Sequence, residues 1–246
     1  MSRISYVNGR YVRAAEAAVH IEDRGYQFAD GVYEVAAIVD GVLVDARPHM
    51  ARLARSLKAL AIAWPVSRRA LDHIIAEVVR RNGISYGMVY LQITRGVAPR
   101  DHAFPARARP ALVVTAKRLP PQRPELVERG VAVVTVPDLR WKRCDIKSVS
   151  LLPNVLGKQK ARESGAFEAW QVRDGQVTEG TSTNAWIVTP DGELVTRAAS
   201  NEILNGITRL QALKTGALIA SAQLSLDLGF AQAASVLAMR VWPAPD

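Results

Sequence analysis

The chain has 246 residues, enough for one large domain or two modest ones that each bury a core. With 49% hydrophobic and 22% charged residues it reads as an ordinary globular protein, and its single cysteine, Cys144, excludes an intramolecular disulfide and a cysteine-based zinc cluster. The net charge of +9 is scattered, with no basic run of five residues, which argues against nucleic acid and suits anionic small molecules.

His20, His49, His73 and His102 show no helical metal-ligand spacing, so no metal site is expected. The opening residues, MSRISYVNGRYV, lack the apolar run and small-residue cleavage site of a signal peptide. With no disulfide available, this points to the cytoplasm.

In chain order, residues 4–12 predict a hairpin around Asn8-Gly9, a pair that tolerates the positive φ of a type I′ turn. Residues 32–44 predict a second hairpin around Asp40-Gly41. Pro48 opens a predicted helix to about Ile62, with Met50, Leu53, Leu57 and Leu60 at the spacing of a buried face. Ser67 is placed to cap the next helix, which carries Leu71, Ile74, Ile75 and Val78 on its apolar side and ends near Gly83. Strands are predicted at 88–94 and 111–116. Leu119-Pro-Pro-Gln-Arg-Pro124 is stiff and poor in backbone donors, and is the best linker candidate. Beyond it, 131–136 predicts a strand, 154–165 a helix, and Asp174-Gly175 and Asp191-Gly192 the turns of two further hairpins. Segregated strands and helices predict an α+β fold, and the chain has no GxGxxG, P-loop or internal repeat.

Longer blocks carry more information. They are YVNG (6–9), IEDRGYQFADGVYEV (21–35), PHMARLARS (48–56), TRGVAPRDHAFP (94–105), RCDIKSVSLLPNVLGKQKA (143–161), VTEGTSTN (177–184) and ILNGITR (203–209). In this order they resemble the D-amino-acid transaminases, within the fold-type IV group of pyridoxal-phosphate enzymes. The resemblance implies a two-domain α+β fold, with a small N-terminal domain over 1–119 and a larger cofactor-binding domain over 120–246. It also implies pyridoxal 5′-phosphate lying between them, a homodimer, and transamination between a D-amino acid such as D-alanine and a 2-oxo acid such as 2-oxoglutarate.

The resemblance also assigns roles. Lys147 matches the lysine that forms the Schiff base with the cofactor and then moves the substrate's α-proton. Taken alone it reads as an exposed surface lysine, with Lys142 and Lys158 as neighbours of equal claim. Glu179 matches the carboxylate facing the pyridine nitrogen; without the motif it is a surface glutamate after a hairpin. Arg52 matches the arginine that pairs with the cofactor phosphate, where a forked guanidinium is suited, and otherwise reads as a solvated helix arginine. Thr181 and Ser182 match hydroxyls near the cofactor, and Ile207 and Thr208 match a helix N-terminus whose free N–H groups attract phosphate. Arg100, His102 and Tyr33 match a trap for the substrate's α-carboxylate, and the Arg-x-His pattern separates this type from branched-chain enzymes and aminodeoxychorismate lyases.

After Arg209 the pattern stops. Residues 210–246 show neither the family's Thr-Ser loop nor a closing strand, which predicts a shortened or frame-shifted C-terminus and an incomplete second domain. Residues 215–239 are nearly uncharged, but Asp227, Gln223, Gln232 and the serines make a membrane span a poor reading. The rival readings are another fold-type IV activity, branched-chain or (R)-amine transamination, and a non-catalytic remnant with a damaged pocket.

Overall fold

The computed structural model describes residues 3–120, 124–188, 193–214 and 240–241. The chain divides into two compact units, Met1–Pro120 with Ile146–Ser150, and Pro121–Asp145 with Leu151–Asp246. The first unit is therefore discontinuous: a five-residue segment returns to it from beyond the proline-rich stretch.

In the first unit, β1 (Ile4–Val7) and β2 (Arg10–Arg13) form the predicted hairpin. Asn8 and Gly9 both have positive φ, 46° and 99°, as the turn requires. A five-residue helix, α1 (Arg24–Phe28), follows and is capped by Asp23 through Gly25 N. Next come β3 (Gly31–Val39) and β4 (Val42–Leu43), joined by Asp40-Gly41 at φ 51° and 78°. The two long helices are α2 (Ala46–Ala59) and α3 (Arg68–Arg81). The predicted helix start at Pro48 falls two residues late, because proline is tolerated anywhere in the first turn, where its missing N–H has no partner to lose. Ser67 Oγ accepts from Ala70 N at 3.2 Å, the expected cap. Then β5 (Gly87–Thr94) and β6 (Ala111–Arg118) complete an antiparallel sheet in the order β2-β1-β6-β5-β3-β4.

This unit's core lies between the sheet and the two helices, with α2 against β3 and α3 against β6 and β1. Ile38, Leu53, Leu57, Leu71, Leu91 and Ile93 are fully buried there. Apolar burial on this scale is the main stabilising term, roughly 1.5–3 kcal/mol for each large side chain.

In the second unit, α4 (Pro124–Arg129) leads into β7 (Ala132–Pro137). Helix α5 spans Leu152–Glu163, again two residues ahead of the prediction because Pro153 sits in its first turn. The hairpin of β8 (Glu168–Arg173) and β9 (Gln176–Gly180) turns at Asp174-Gly175, φ 50° and 72°. Two short strands, β10 (Trp186–Val188) and β11 (Leu194–Thr196), pair antiparallel; their predicted turn, Asp191-Gly192, lies outside the described residues. Helix α6 spans Ile207–Lys214. Finally β12 (Arg240–Val241) runs parallel to β7, giving the sheet order β12-β7-β8-β9. This corrects the expectation that the tail holds no strand: two residues suffice to extend a sheet edge through backbone bonds, and so short a strand leaves no side-chain pattern to read. The rest of the tail lies outside the described residues. Among the described residues no helix is long and apolar enough to cross a membrane.

Helix α5 packs on β7 and β8 through a face made small by Gly157 and Ala161. A Cβ on Gly157 would come within 2.8 Å of Thr181 Cγ2, so this glycine permits the helix to approach the turn after Glu179.

Candidate active site

The returning segment explains how Lys147 is held. Val32 and Ser148 form an antiparallel bridge, Tyr33 N donates to the Lys147 carbonyl at 3.0 Å, and Val149 N donates to the Gly31 carbonyl at 3.1 Å. On its other side, Lys147 N donates to Ser56 Oγ of α2 at 3.2 Å. The backbone of Lys147 is thus fixed through both its polar groups, while the side chain remains partly exposed. Its Nζ lies 4.3 Å from the centroid of the Tyr33 ring, and that ring stacks on Tyr90 at 5.6 Å. Burial, then the neighbouring Tyr33, push the Tyr90 hydroxyl up to about 12, so it is a neutral donor to Gln92 Oε1 at 2.6 Å.

Arg52 is not a solvated arginine. It is 4% exposed, and its Nε and Nη2 donate to the two oxygens of Glu34 at 2.7 and 2.8 Å. His49 Nδ1 lies 2.8 Å from Glu34 Oε2, so one buried carboxylate gathers both side chains. Glu34 is 1% exposed, and burial alone would raise its pKa. Hydrogen bonds from Arg52 and His49, with the charges of Arg52 and Lys147, outweigh burial and hold it down to about 2. In β3, Glu34 shares its side with Val32, Ala36 and Ile38, and Tyr33 points to the other face.

Arg100 and His102 lie together on an exposed loop. The Arg100 Cζ is 4.7 Å from the centroid of Phe28, and the His102 ring is 5.3 Å from the same ring. The three residues expected to trap a carboxylate therefore occupy two settings: the pair on Phe28, and Tyr33 with Tyr90 and Lys147.

In the second unit, Glu179 lies near the end of β9 and is 5% exposed, which removes the surface-glutamate reading. Asn184 Nδ2 donates to Glu179 Oε2 at 3.1 Å, and Leu204 N donates to Oε1 at 3.0 Å. Arg140 also donates to Glu179 through Nη1. The same guanidinium reaches Asp138 at 2.9 and 2.8 Å, Thr178 Oγ1 at 3.1 Å and the Glu202 carbonyl at 3.0 Å. Burial lowers the Arg140 pKa, but Asp138 and Glu179 raise it further, so it is a permanent cation. Cys144 is buried beside this cluster with its thiol pushed up to about 11, chiefly by burial, and is a neutral filler.

Thr181 and Ser182 follow Glu179 in a turn anchored by Glu168, which is fully buried. Ser182 Oγ donates to Glu168 Oε2 at 2.7 Å, Ser182 N does so at 3.2 Å, and Thr181 Oγ1 donates to Oε1. Burial raises the Glu168 pKa, but these donors and the charge of Lys158 turn the net shift downward. Ile207 and Thr208 are buried in the first turn of α6, where the leading N–H groups have no partner within the helix. Sequence reading missed Glu34, Ser56, Arg140 and Asn184; Glu34, a charge at a core-facing strand position, and Ser56, in a polar stripe on α2, left visible signals. Among the described residues no group of three or more His, Cys, Asp or Glu is placed to hold a metal ion.

Comparison with known proteins agrees with this arrangement of elements. The D-alanine aminotransferase of Bacillus licheniformis is 48% identical over 208 residues, covering 84% of this chain and 72% of the relative. In three dimensions, the branched-chain amino acid aminotransferase of Escherichia coli superposes with a TM-score of 0.81 at 24% identity, over 98% of this chain and 86% of that one. The branched-chain amino acid aminotransferase of the archaeon Thermoproteus uzoniensis, solved with norvaline, gives 0.75 at 24% identity, over 98% and 88%. The pattern of amino-transferase class IV matches residues 31–228, past the point where the motif resemblance ends, and this chain belongs to that family.

Proposed function

We propose that this chain transfers the amino group of a D-amino acid, D-alanine in the first place, to a 2-oxo acid such as 2-oxoglutarate, with pyridoxal 5′-phosphate as cofactor. The observation that carries the reading is Lys147: a lysine inside the RCDIKS block, fixed by its backbone to β3 and α2, with its amine on the Tyr33 ring. The identity to enzymes named D-alanine aminotransferase supports the substrate.

The donor set fits the cofactor in kind. The first unit offers an amine, Lys147, and the second a buried carboxylate, Glu179, whose position is set by Arg140, Asn184 and Leu204 N. Arg52, and separately the first turn of α6 at Ile207 and Thr208, are of the kind that takes a phosphate, and Thr181 and Ser182 add hydroxyls. Two of the Arg52 donors, Nε and Nη2, are given to Glu34, which fixes the plane of the guanidinium. When bound, pyridoxal phosphate supplies the carbon that receives the substrate amine and a ring that takes up the electron pair released at Cα. Lys147 takes the α-proton and returns it, and its fixed backbone limits the arc its amine sweeps. Glu179 would accept a hydrogen bond from the protonated ring nitrogen. Arg100, His102 and Tyr33 would hold the α-carboxylate.

The small domain over 1–119 and the cofactor-binding domain over 120–246 work as one subunit of a cytoplasmic homodimer in this reading. Lys147→Ala tests it: turnover of D-alanine and the visible absorbance of bound cofactor are both lost. Retained turnover in that variant removes Lys147 from the chemistry. A wild-type protein that prefers L-leucine or a simple amine to D-alanine would move the assignment to another class IV activity. Protein that stays colourless with pyridoxal phosphate would mark a non-catalytic remnant.

A further inference from the structure

The loop bearing Arg100 and His102 is exposed, yet its backbone is gripped from below. Arg24, only 3% exposed, opens α1 and spreads its guanidinium over three acceptors. Nε donates to Asp30 Oδ2 at 2.8 Å, Nη1 to the Asp101 carbonyl at 2.5 Å, and Nη2 to the His102 carbonyl at 3.3 Å. Asp30 is braced in turn by Arg95, whose Nε and Nη2 reach it at 2.7 and 3.0 Å. Arg95 also donates to the Leu60 and Ala61 carbonyls at 2.7 and 3.0 Å, tying this ion pair to the end of α2. Its Cζ lies 3.6 Å from the centroid of Phe104, so the loop is fixed on both sides of His102.

The side chains have a seat of their own. Phe28, the last residue of α1, carries Arg100 at 4.7 Å, Arg24 at 4.8 Å and the His102 ring at 5.3 Å, tilted by 52°. An exposed arginine loses much rotamer freedom when it grips a carboxylate, and a ring that already holds the guanidinium removes part of that loss before binding. A buried arginine aimed at two carbonyls of a solvent-exposed loop holds that loop's backbone in place. The contacts make sense if the placement of that loop matters.

We propose that Arg24 and Phe28 are positioning residues for the substrate's α-carboxylate: Arg24 fixes the backbone at Asp101 and His102, and Phe28 seats the side chains of Arg100 and His102. The inference rests on the reading of Arg100 and His102 as the carboxylate's donors. Neither Arg24 nor Phe28 touches substrate in this scheme; both act through the loop.

The test uses the 246-residue chain loaded with pyridoxal phosphate, with steady-state kinetics on D-alanine and 2-oxoglutarate and a thermal melt of each variant. Phe28→Leu keeps an apolar side chain and loses the ring. It raises KM for both substrates about fivefold, the factor for one exposed cation–π contact, and leaves kcat within about twofold. Phe28→Tyr keeps the ring and keeps the wild-type KM. Arg24→Lys keeps a charge for Asp30 but gives up the fork to the two carbonyls, and raises KM in the same direction. Wild-type KM values in both Phe28→Leu and Arg24→Lys would overturn the proposal. So would equal KM rises in Phe28→Leu and Phe28→Tyr, or a rise that only accompanies a fall in melting temperature, which is the behaviour of a packing residue. If Arg24→Lys does not fold, the two Phe28 variants decide. Arg100→Ala separates the layers: unchanged KM there refutes the carboxylate trap itself, whereas a raised KM there with silent Phe28 and Arg24 variants refutes only the positioning role.

Discussion

Replacing Glu34 with glutamine tests the electrostatics around the Lys147 perch. The carboxyl is held at about 2 in the folded protein against an ordinary 4.5. It therefore binds fewer protons folded than unfolded between those values, and stability rises with pH across that window. The contribution is fully present above 4.5 and is lost as pH falls toward 2. A gap of about 2.5 between the two values, at about 1.36 kcal/mol for each, puts the contribution at pH 7 on the order of 3 kcal/mol. The same linkage leaves less than half of it at pH 3. Glu34→Gln removes this contribution and takes a carboxylate charge away from the Arg52 guanidinium, which is 4% exposed. Breaking a buried pair from one side costs about 3–5 kcal/mol by an independent route, so the two figures agree. Urea unfolding followed by circular dichroism at pH 7 and pH 3 measures the difference between wild type and variant. It should shrink by more than half at the lower pH. A variant within about 0.5 kcal/mol of wild type at pH 7, or a deficit that does not change with pH, would refute the reasoning. Glu34→Gln combined with Arg52→Met should recover part of the loss, because the guanidinium charge goes too.

Ser56→Ala deletes the acceptor of the Lys147 N–H, 3.2 Å away on a residue only 1% exposed. We expect a loss of about 1–3 kcal/mol in a thermal or urea melt, with weaker retention of pyridoxal phosphate on a desalting column. Arg140→Met leaves Asp138 and Glu179 without their shared cation, although Arg173 still reaches Asp138 at 3.3 Å. Its expected cost is about 3 kcal/mol by urea unfolding, and a loss below about 1 kcal/mol would show that Arg173 suffices.

Features with steric demands were the ones legible in the sequence. Asn8-Gly9, Asp40-Gly41 and Asp174-Gly175 all adopt the positive φ that makes such pairs diagnostic of turns. Ser67 caps α3 because its hydroxyl competes for a free N–H, and the apolar spacing of Leu71, Ile74, Ile75 and Val78 matches its buried face. Helix α1 escaped notice because five residues are too few to show a period. The return of Ile146–Ser150 to β3 also left no trace, since pairing of so short a segment is decided by distant backbone groups. In the site, the roles proposed for Lys147 and Glu179 were readable only through the blocks around them. Their surroundings were partly readable in principle: Glu34 alternates with Val32, Ala36 and Ile38, and His49, Arg52 and Ser56 form a polar stripe beside the buried leucines of α2. A charge in a core-facing series and a polar stripe on a neighbouring helix are complementary signals. Arg140, one of many arginines in a loop, carried none.

The most direct measurement is the absorbance spectrum of the purified chain with pyridoxal phosphate, taken before and after adding D-alanine or L-alanine. The account predicts a visible band from lysine-bound cofactor that D-alanine bleaches, that L-alanine leaves in place, and that Lys147→Ala never shows. A band that L-alanine bleaches as readily would contradict the proposed stereochemistry. A band that persists in Lys147→Ala would contradict the central role given to that lysine.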